Sequence, residues 1–379
     1  MSFSSTGKIR RGGGTLFRMR VQFGHSYAEI ISVENLLEAW KEFKRGKTKK
    51  EGVQQFQLRL MEHILTLHMD LRNRTYRHGQ YKHFRISDPK PRDIHKASVR
   101  DRLLHHALYR KLYPFFDRTF IADSFSCRLG KGTHAAMDRF RAFAYKVSRN
   151  HTRTCFVLKC DIRKFFANID HDILFSVLAR YISDADISNL LKNIVGSFST
   201  SPLNLLLTEA VHLSHPKTDA QGLAKLQVFA SHLKEGERKK GLPLGNLTSQ
   251  LLVNIYMNEF DQFVKHTLKV KRYIRYADDF VLLSPNKTEL EHLLPPIRDF
   301  LHKWLKLSLH PDKVCIKTLA SGVDFLGWVH FPDHRVLRTA TRRRIFRRIS
   351  EYNFGSYLGL CKQGNTFGVQ QALDSFVSS

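Results

Sequence analysis

Apolar positions recur at helical spacing through the first part of the chain. Leu36, Leu37, Trp40 and Phe43 predict a helix over 33–44, and Phe56, Leu60, Ile64 and Leu67 predict another over 51–73. Both stripes read as core. Residues 81–96 read as extended, with a turn at Asp88-Pro89, and 99–117 as a helix ending near Pro114. A helix is expected from Ala135 to Val147. The pattern then changes. Cys155-Phe156-Val157-Leu158-Lys159-Cys160-Asp161 is a short, nearly unbroken apolar run that ends in a carboxylate. A buried central strand of this kind delivers Asp161 to the edge of a sheet. Helices are expected over about 170–181, 246–268 and 287–306, and a strand hairpin over about 314–331. The stretch 199–240 is polar, holds Pro202 and Pro216, and ends in a charged run. Its leucines at 203, 205, 206 and 207 suggest a partly helical segment.

Tyr276-Ala277-Asp278-Asp279 lies between the apolar runs Tyr273-Ile274 and Phe280-Val281-Leu282-Leu283. That is strand, tight turn, strand, with two acids at the tip. A tip exposes the acids to solvent or metal at little desolvation cost, and neighbouring carboxylates repel unless a cation screens them. Alone, the four residues fit a solvated turn, and Asp161 alone fits a helix cap. Together they change the picture. If the hairpin lies beside the Asp161 strand, three carboxylates converge as in two-metal phosphoryl transfer, with Mg²⁺ the natural ion.

Charge fits such a substrate. The 379 residues hold 62 Lys plus Arg against 34 Asp plus Glu, a formal charge of +28. An excess of this size self-repels and favours a polyanionic partner, of which nucleic acid is the obvious one. Hydrophobic residues make up 42%, enough for a large core in two or three subdomains. No apolar stretch approaches a membrane span, and the N-terminus shows no signal h-region. The cysteines at 127, 155, 160, 315 and 361 form no CxxC pair and are expected as free thiols in a reducing cytoplasm. The twenty histidines show no metal spacing. Gly12-Gly13-Gly14 lacks the GK[ST] ending and the strand-to-helix setting of a phosphate loop, and reads as a flexible basic tail.

Several segments, in order, resemble the prokaryotic reverse transcriptases. They are Asp88-Pro89-Lys90-Pro91-Arg92-Asp93-Ile94, the stretch from Arg100 to Leu108, the stretch from Ser124 to Ala135, Asp161 with Phe166 five residues on, Gly241 to Gln250, Tyr276 to Asp279, and Phe325-Leu326-Gly327-Trp328. The resemblance covers about 33–360. It implies an α+β right-hand polymerase: a basic N-terminal tail at 1–30, fingers at 31–133, and a palm at 134–333 with an insertion at about 199–240. A short basic thumb would follow at 334–379. The implied reaction is attack of a primer 3′-hydroxyl on the α-phosphate of a dNTP, in which positioning and charge carry the catalysis.

The resemblance also assigns residues. Asp161, Asp278 and Asp279 would hold two Mg²⁺ ions, with Mn²⁺ an alternative. Asp279 is the member closer to structural support. Lys90, Arg92 and Arg128, with Lys131 behind them, would clamp the triphosphate. Phe166 would be the steric gate below the sugar, with Phe165 in the core. Gln250 would line the templating pair, and Lys313 would stand near the pyrophosphate as general acid. Phe325, Leu326, Gly327 and Trp328 would form the primer grip, the glycine permitting close backbone approach. Arg343, Arg344 and Arg347 would track a nucleic-acid backbone. The ending Ser249-Gln250 differs from the QGxxxSP of group II intron enzymes and is similar to diversity-generating retroelement enzymes, which copy a template RNA and work with an accessory protein. The 199–240 insertion points instead to antiphage-defence enzymes that use a noncoding RNA. A catalytically idle RNA-binding scaffold is the reading from another class. The expected partners are a structured template or noncoding RNA, the DNA product and dNTPs. An accessory protein, a second reverse transcriptase or an oligomer is compatible with either role, and no membrane is expected.

Overall fold

The computed structural model describes residues 21–87, 91–198 and 239–378. The 199–240 insertion therefore falls almost wholly outside the described residues, as do residues 1–20 of the expected tail and Lys90. The rest of that expected tail is structured, with Phe23, Tyr27 and Ile30 buried in the core and a helix at Tyr27–Ile31. Antiparallel strands alternate with helices. Strand β1 (Lys82–Ile86) pairs with β2 (Arg92–Lys96) in a two-stranded ribbon. The central sheet has the order β4 (Tyr273–Tyr276), β5 (Asp279–Ser284), β3 (Phe156–Asp161), β6 (Cys315–Thr318), and every pairing is antiparallel. A third sheet holds β7 (Val323–Phe325), β8 (Trp328–His330) and β9 (Arg335–Leu337).

The predicted helices form, with instructive differences. The apolar stripe of 51–73 is real, but Arg59 leaves helical geometry at φ −119° and splits it into Glu51–Leu58 and Leu60–Arg72. The helix predicted to end near Pro114 runs from Val99 to Asp117 with the proline inside. Its start is fixed by Ser98, whose hydroxyl accepts the Asp101 N–H. Leu103, Leu104, Ala107, Leu108, Leu112 and Phe116 are all buried along it, so core packing outweighs one lost backbone bond. The helix Ala185–Gly196, capped by Asp184, had no reading in the sequence. The helix expected over 246–268 is α-helical from Leu247 to Gln262 and closes on a π turn at Phe263–Thr267. The hairpin expected over 314–331 divides between two sheets. β6 closes the central sheet against β3, whereas β7 and β8 form the hairpin and β9 joins them. The expected palm–thumb boundary at 333 thus cuts across one sheet.

One large apolar cluster joins the finger helices to one face of the central sheet through Leu158, Cys160, Phe280 and Leu282. The opposite face, Val157, Ile274, Val281 and Leu283, packs on Phe140 and Phe143 of the Thr133–Val147 helix and on Phe325. The period of two thus buries both faces of β3 and β5, as expected for a central strand. Among the described residues no helix is long and apolar enough to cross a membrane.

Candidate active site

Strand register brings the three acids together. Asp161 ends β3 directly opposite Asp279, the first residue of β5. Tyr276 pairs with Asp279, so Ala277 and Asp278 form a two-residue turn. The Asp278 carbonyl accepts the Ile162 N–H at 3.2 Å, which fastens the turn to the end of β3. Ala277 has φ +56°, a left-handed conformation that costs a non-glycine residue about 1–2 kcal/mol.

Arg275 holds that turn from beneath. Its guanidinium is fully buried, donating to both carboxylate oxygens of Asp261 at 2.7 and 2.8 Å. It also donates to Asn254 Oδ1, to Ser124 Oγ, and to the Ala277 carbonyl at 3.1 Å. Tyr273 donates its hydroxyl to Asp261 at 2.7 Å. The sequence analysis passed over this group. Its signal was an arginine in a strand otherwise apolar on its buried positions.

The acids themselves are less solvated than the tip position suggested. Burial raises the Asp278 carboxyl above the usual range; Asp161 adds to that rise, while Lys313 and Arg92 oppose it. Burial likewise pushes Asp279 up to about 7, with Lys159 opposing and Asp278, Asp161 and Asp324 adding. Asp279 Oδ1 is buried and has no hydrogen-bond partner. Lys313 spans both oxygens of Asp161 at 3.0 and 3.1 Å. As the side chains lie, no group of three His, Cys, Asp or Glu among the described residues is arranged around a single metal position. The donor set nevertheless fits a hard cation. It consists of carboxylate oxygens, one of them buried and unpartnered, and the acids raise one another's affinity for positive charge.

The remaining expected residues fall into three groups. Arg92, exposed on β2, is close enough to stabilise the Asp278 carboxylate, and Phe166 is half-buried at the start of a 3-10 turn and packs against the large apolar cluster. Phe165 beside it is buried in the core, as expected. Gln250 is half-exposed in the first turn of the Leu247–Gln262 helix.

Arg128 belongs elsewhere. It is 7% exposed and donates to the Asp117 carboxylate and to the carbonyls of Asp117, Ile121 and Ser124. A guanidinium so occupied braces the finger loop and has little left for a triphosphate. Lys131, also in that loop, bonds the Ala122 carbonyl.

The third group is the β7–β8 hairpin and the segment beyond it. Phe325 and Trp328 are buried, so the grip can present only its turn, Leu326-Gly327, with both residues at positive φ (+53° and +88°). A Cβ on Gly327 would meet nothing within 4 Å. The glycine serves the turn's left-handed backbone, and the space around it is open on the protein side. Arg343 and Arg347 are exposed on the helix Thr339–Arg348, while Arg344 is half-buried and Ile345 is buried.

The finger ribbon reaches the site through two hydrogen bonds. His95 N–H donates to the Leu244 carbonyl at 3.1 Å, and Asn246 Nδ2 donates to the His95 carbonyl at 2.9 Å.

The profile of the reverse transcriptase (RNA-dependent DNA polymerase) family matches residues 86–330, well over half of the chain. The chain belongs to that family. The matched span contains all three acids, the ribbon strand with Arg92, and the β7–β8 hairpin. YkfC of Escherichia coli strain K12 is 25% identical over 70% of this chain and 68% of its own length. The group II intron-encoded protein LtrA of Lactococcus lactis is 30% identical over 37% of this chain, which is 20% of LtrA. Among solved structures, a telomerase of Candida tropicalis truncated from its C-terminal domain is 14% identical. It has a TM-score of 0.41, covering 73% of this chain and 60% of the telomerase.

The raised Asp279 carboxyl sets a pH dependence of stability for the reverse transcriptase. A carboxyl whose folded value lies near 7 and whose unfolded value lies at about 4 opposes folding increasingly as the pH climbs between them. With chelator present, Asp279→Asn should therefore melt higher than wild type at pH 8, and this advantage should shrink toward pH 5. Melting curves at the two pH values check this, and an equal difference at both would show that Asp279 carries no such burden.

Proposed function

We propose that the chain synthesises DNA on an RNA template by nucleotidyl transfer at Asp161, Asp278 and Asp279. The observation that carries this reading is the register that sets Asp161 opposite Asp279 at one sheet edge, with a buried carboxylate oxygen left unpartnered. The acids would hold two Mg²⁺ ions; when bound, these would activate the attacking hydroxyl and steady the leaving group.

The chain's own residues supply the rest. Arg92 offers a guanidinium across from Asp278, suited to an incoming triphosphate. Phe166, five residues beyond Asp161, would act as the steric gate, its ring meeting a 2′-hydroxyl. Lys313, which bonds both oxygens of Asp161, would be placed to donate a proton toward departing pyrophosphate. The Leu326-Gly327 turn offers backbone to the primer end, and Arg343 and Arg347 offer charge to its phosphates. A scaffold without catalysis has no use for an unpartnered buried acid beside two more, which speaks against the idle reading.

Asp278→Asn should abolish metal-dependent dNTP incorporation while leaving the fold and RNA binding intact. Wild-type rates in that variant, measured by primer extension, would remove the assignment. Phe166→Ala should admit ribonucleotides, lowering dNTP preference by about tenfold or more, equivalent to about 1.4 kcal/mol of selectivity. Unchanged preference in a competition assay would place the gate elsewhere.

The template we infer is a structured RNA from the same locus. Several of the curated relatives are intron-encoded proteins by name, and a charge of +28 exceeds what a short template–primer needs. Leu244 to Gln250 favours a retroelement role over the defence role to which the insertion points. RNA copurified with the protein should be dominated by one species that survives moderate salt. A broad sample of ribosomal and transfer RNA on sequencing would defeat this.

A further inference from the structure

Lys159 is the one charged residue within the β3 strand before its terminal acid, and the family's chemistry as described above does not use it. Its strand neighbours Val157, Leu158 and Cys160 are buried and apolar. An apolar residue would suit the strand as well or better, because burying an ammonium costs several kcal/mol before any return. Lys159 is 16% exposed. Its ammonium donates to the Asp324 backbone carbonyl at 2.6 Å. It also stands 3.8 Å from Asp279 Oδ2 and 4.0 Å from Asp324 Oδ1. Asp324 is the middle residue of β7, next to Phe325 at the base of the Leu326-Gly327 turn. The Asp324 carboxylate is taken in turn by Arg338, the residue that precedes the Thr339–Arg348 helix. The Arg338 backbone N–H closes the circuit on the Gly327 carbonyl at 3.3 Å.

The central sheet and the β7–β8–β9 sheet share no strand. Apolar contact among Val157, Val281, Val323 and Phe325 presses them together, but such contact is non-directional. The chain Asp279–Lys159–Asp324–Arg338 is directional. We propose that Lys159 is a positioning residue, holding the acid-bearing hairpin at a fixed offset from the turn that presents the primer end, with Arg338 extending that hold into the segment beyond. The proposal rests on the polymerase reading.

Its test is rapid-quench extension of a matched template–primer by folded Lys159→Met, Lys159→Arg, Arg338→Met and the double methionine variant. A misplacement of about 1 Å costs on the order of 10²-fold in rate, so Lys159→Met should lose about that much of its catalytic rate. The dNTP KM should stay within about twofold, since triphosphate contacts are untouched. Lys159→Arg, which keeps a donor and the charge, should recover most of the rate. Arg338→Met leaves the central strand intact and should lose about tenfold, and the double variant should fall little further than Lys159→Met because both act on one linkage. A wild-type rate in either methionine variant, no recovery with arginine, or losses that multiply in the double variant would overturn the proposal. Should Lys159→Met fail to fold, Arg338→Met alone decides: a wild-type rate overturns and a selective loss of rate at constant dNTP KM supports. A wild-type chain that incorporates no dNTP would sink the polymerase reading itself, and the proposal with it.

Discussion

The site depends on a fully buried ion pair. Arg275 and Asp261 are both 0% exposed, and the arginine's donors go to four residues in three chain segments. Asp261 and Asn254 come from the helix before the hairpin, Ser124 from the finger loop, and Ala277 from the acid-bearing turn itself. Around the same residue, the Arg275 N–H donates to the Asp123 carbonyl and its own carbonyl accepts the Phe125 N–H, both at 3.0 Å. Fingers, helix and hairpin therefore meet at one side chain. Removing one partner of such a pair leaves an uncompensated charge at a cost of about 3–5 kcal/mol. What the pair supplies is less net stability than a single answer to where Asp278 sits, because a strained Ala277 persists only when its surroundings over-determine it.

Above that pair the site is arranged around charge that is not yet balanced. Asp161 has a lysine on both its oxygens, Asp279 has one oxygen 3.8 Å from the Lys159 ammonium and one buried without a hydrogen bond, and Asp278 is restrained by the more remote Arg92 and Lys313. Burial, and to a lesser degree the neighbouring acids, raise both carboxyls, a setting that a bound cation of the kind proposed above would relieve.

Sequence carried the acids because their signal is local. Asp161 terminates an apolar run, and Asp278-Asp279 interrupt another, so strand register had only to set them side by side. Phe165 and Phe166 could be told apart because neighbours in a tight turn face differently, with Phe165 in the core. A guanidinium near a phosphate site and one satisfied by carbonyls of its own loop, as Arg128 is here, look alike in one dimension. Arg275 and Lys159 were passed over since most of their partners lie 14 to 165 positions away. The break at Arg59 and the short strand β9 escaped for a related cause. A period of 3.6 predicts a face but not a dihedral, and a three-residue strand has too few positions to show any period.

The finger ribbon has only two strands, a size that is marginal alone in water, and its described hydrogen bonds to the motif before the Leu247–Gln262 helix run through a single residue, His95. Arg92 lies three residues from that attachment, on the same strand. A weakly held strand is a unit that opens readily, so if Arg92 meets an incoming triphosphate as proposed above, capture of the nucleotide and ordering of the ribbon would be one event.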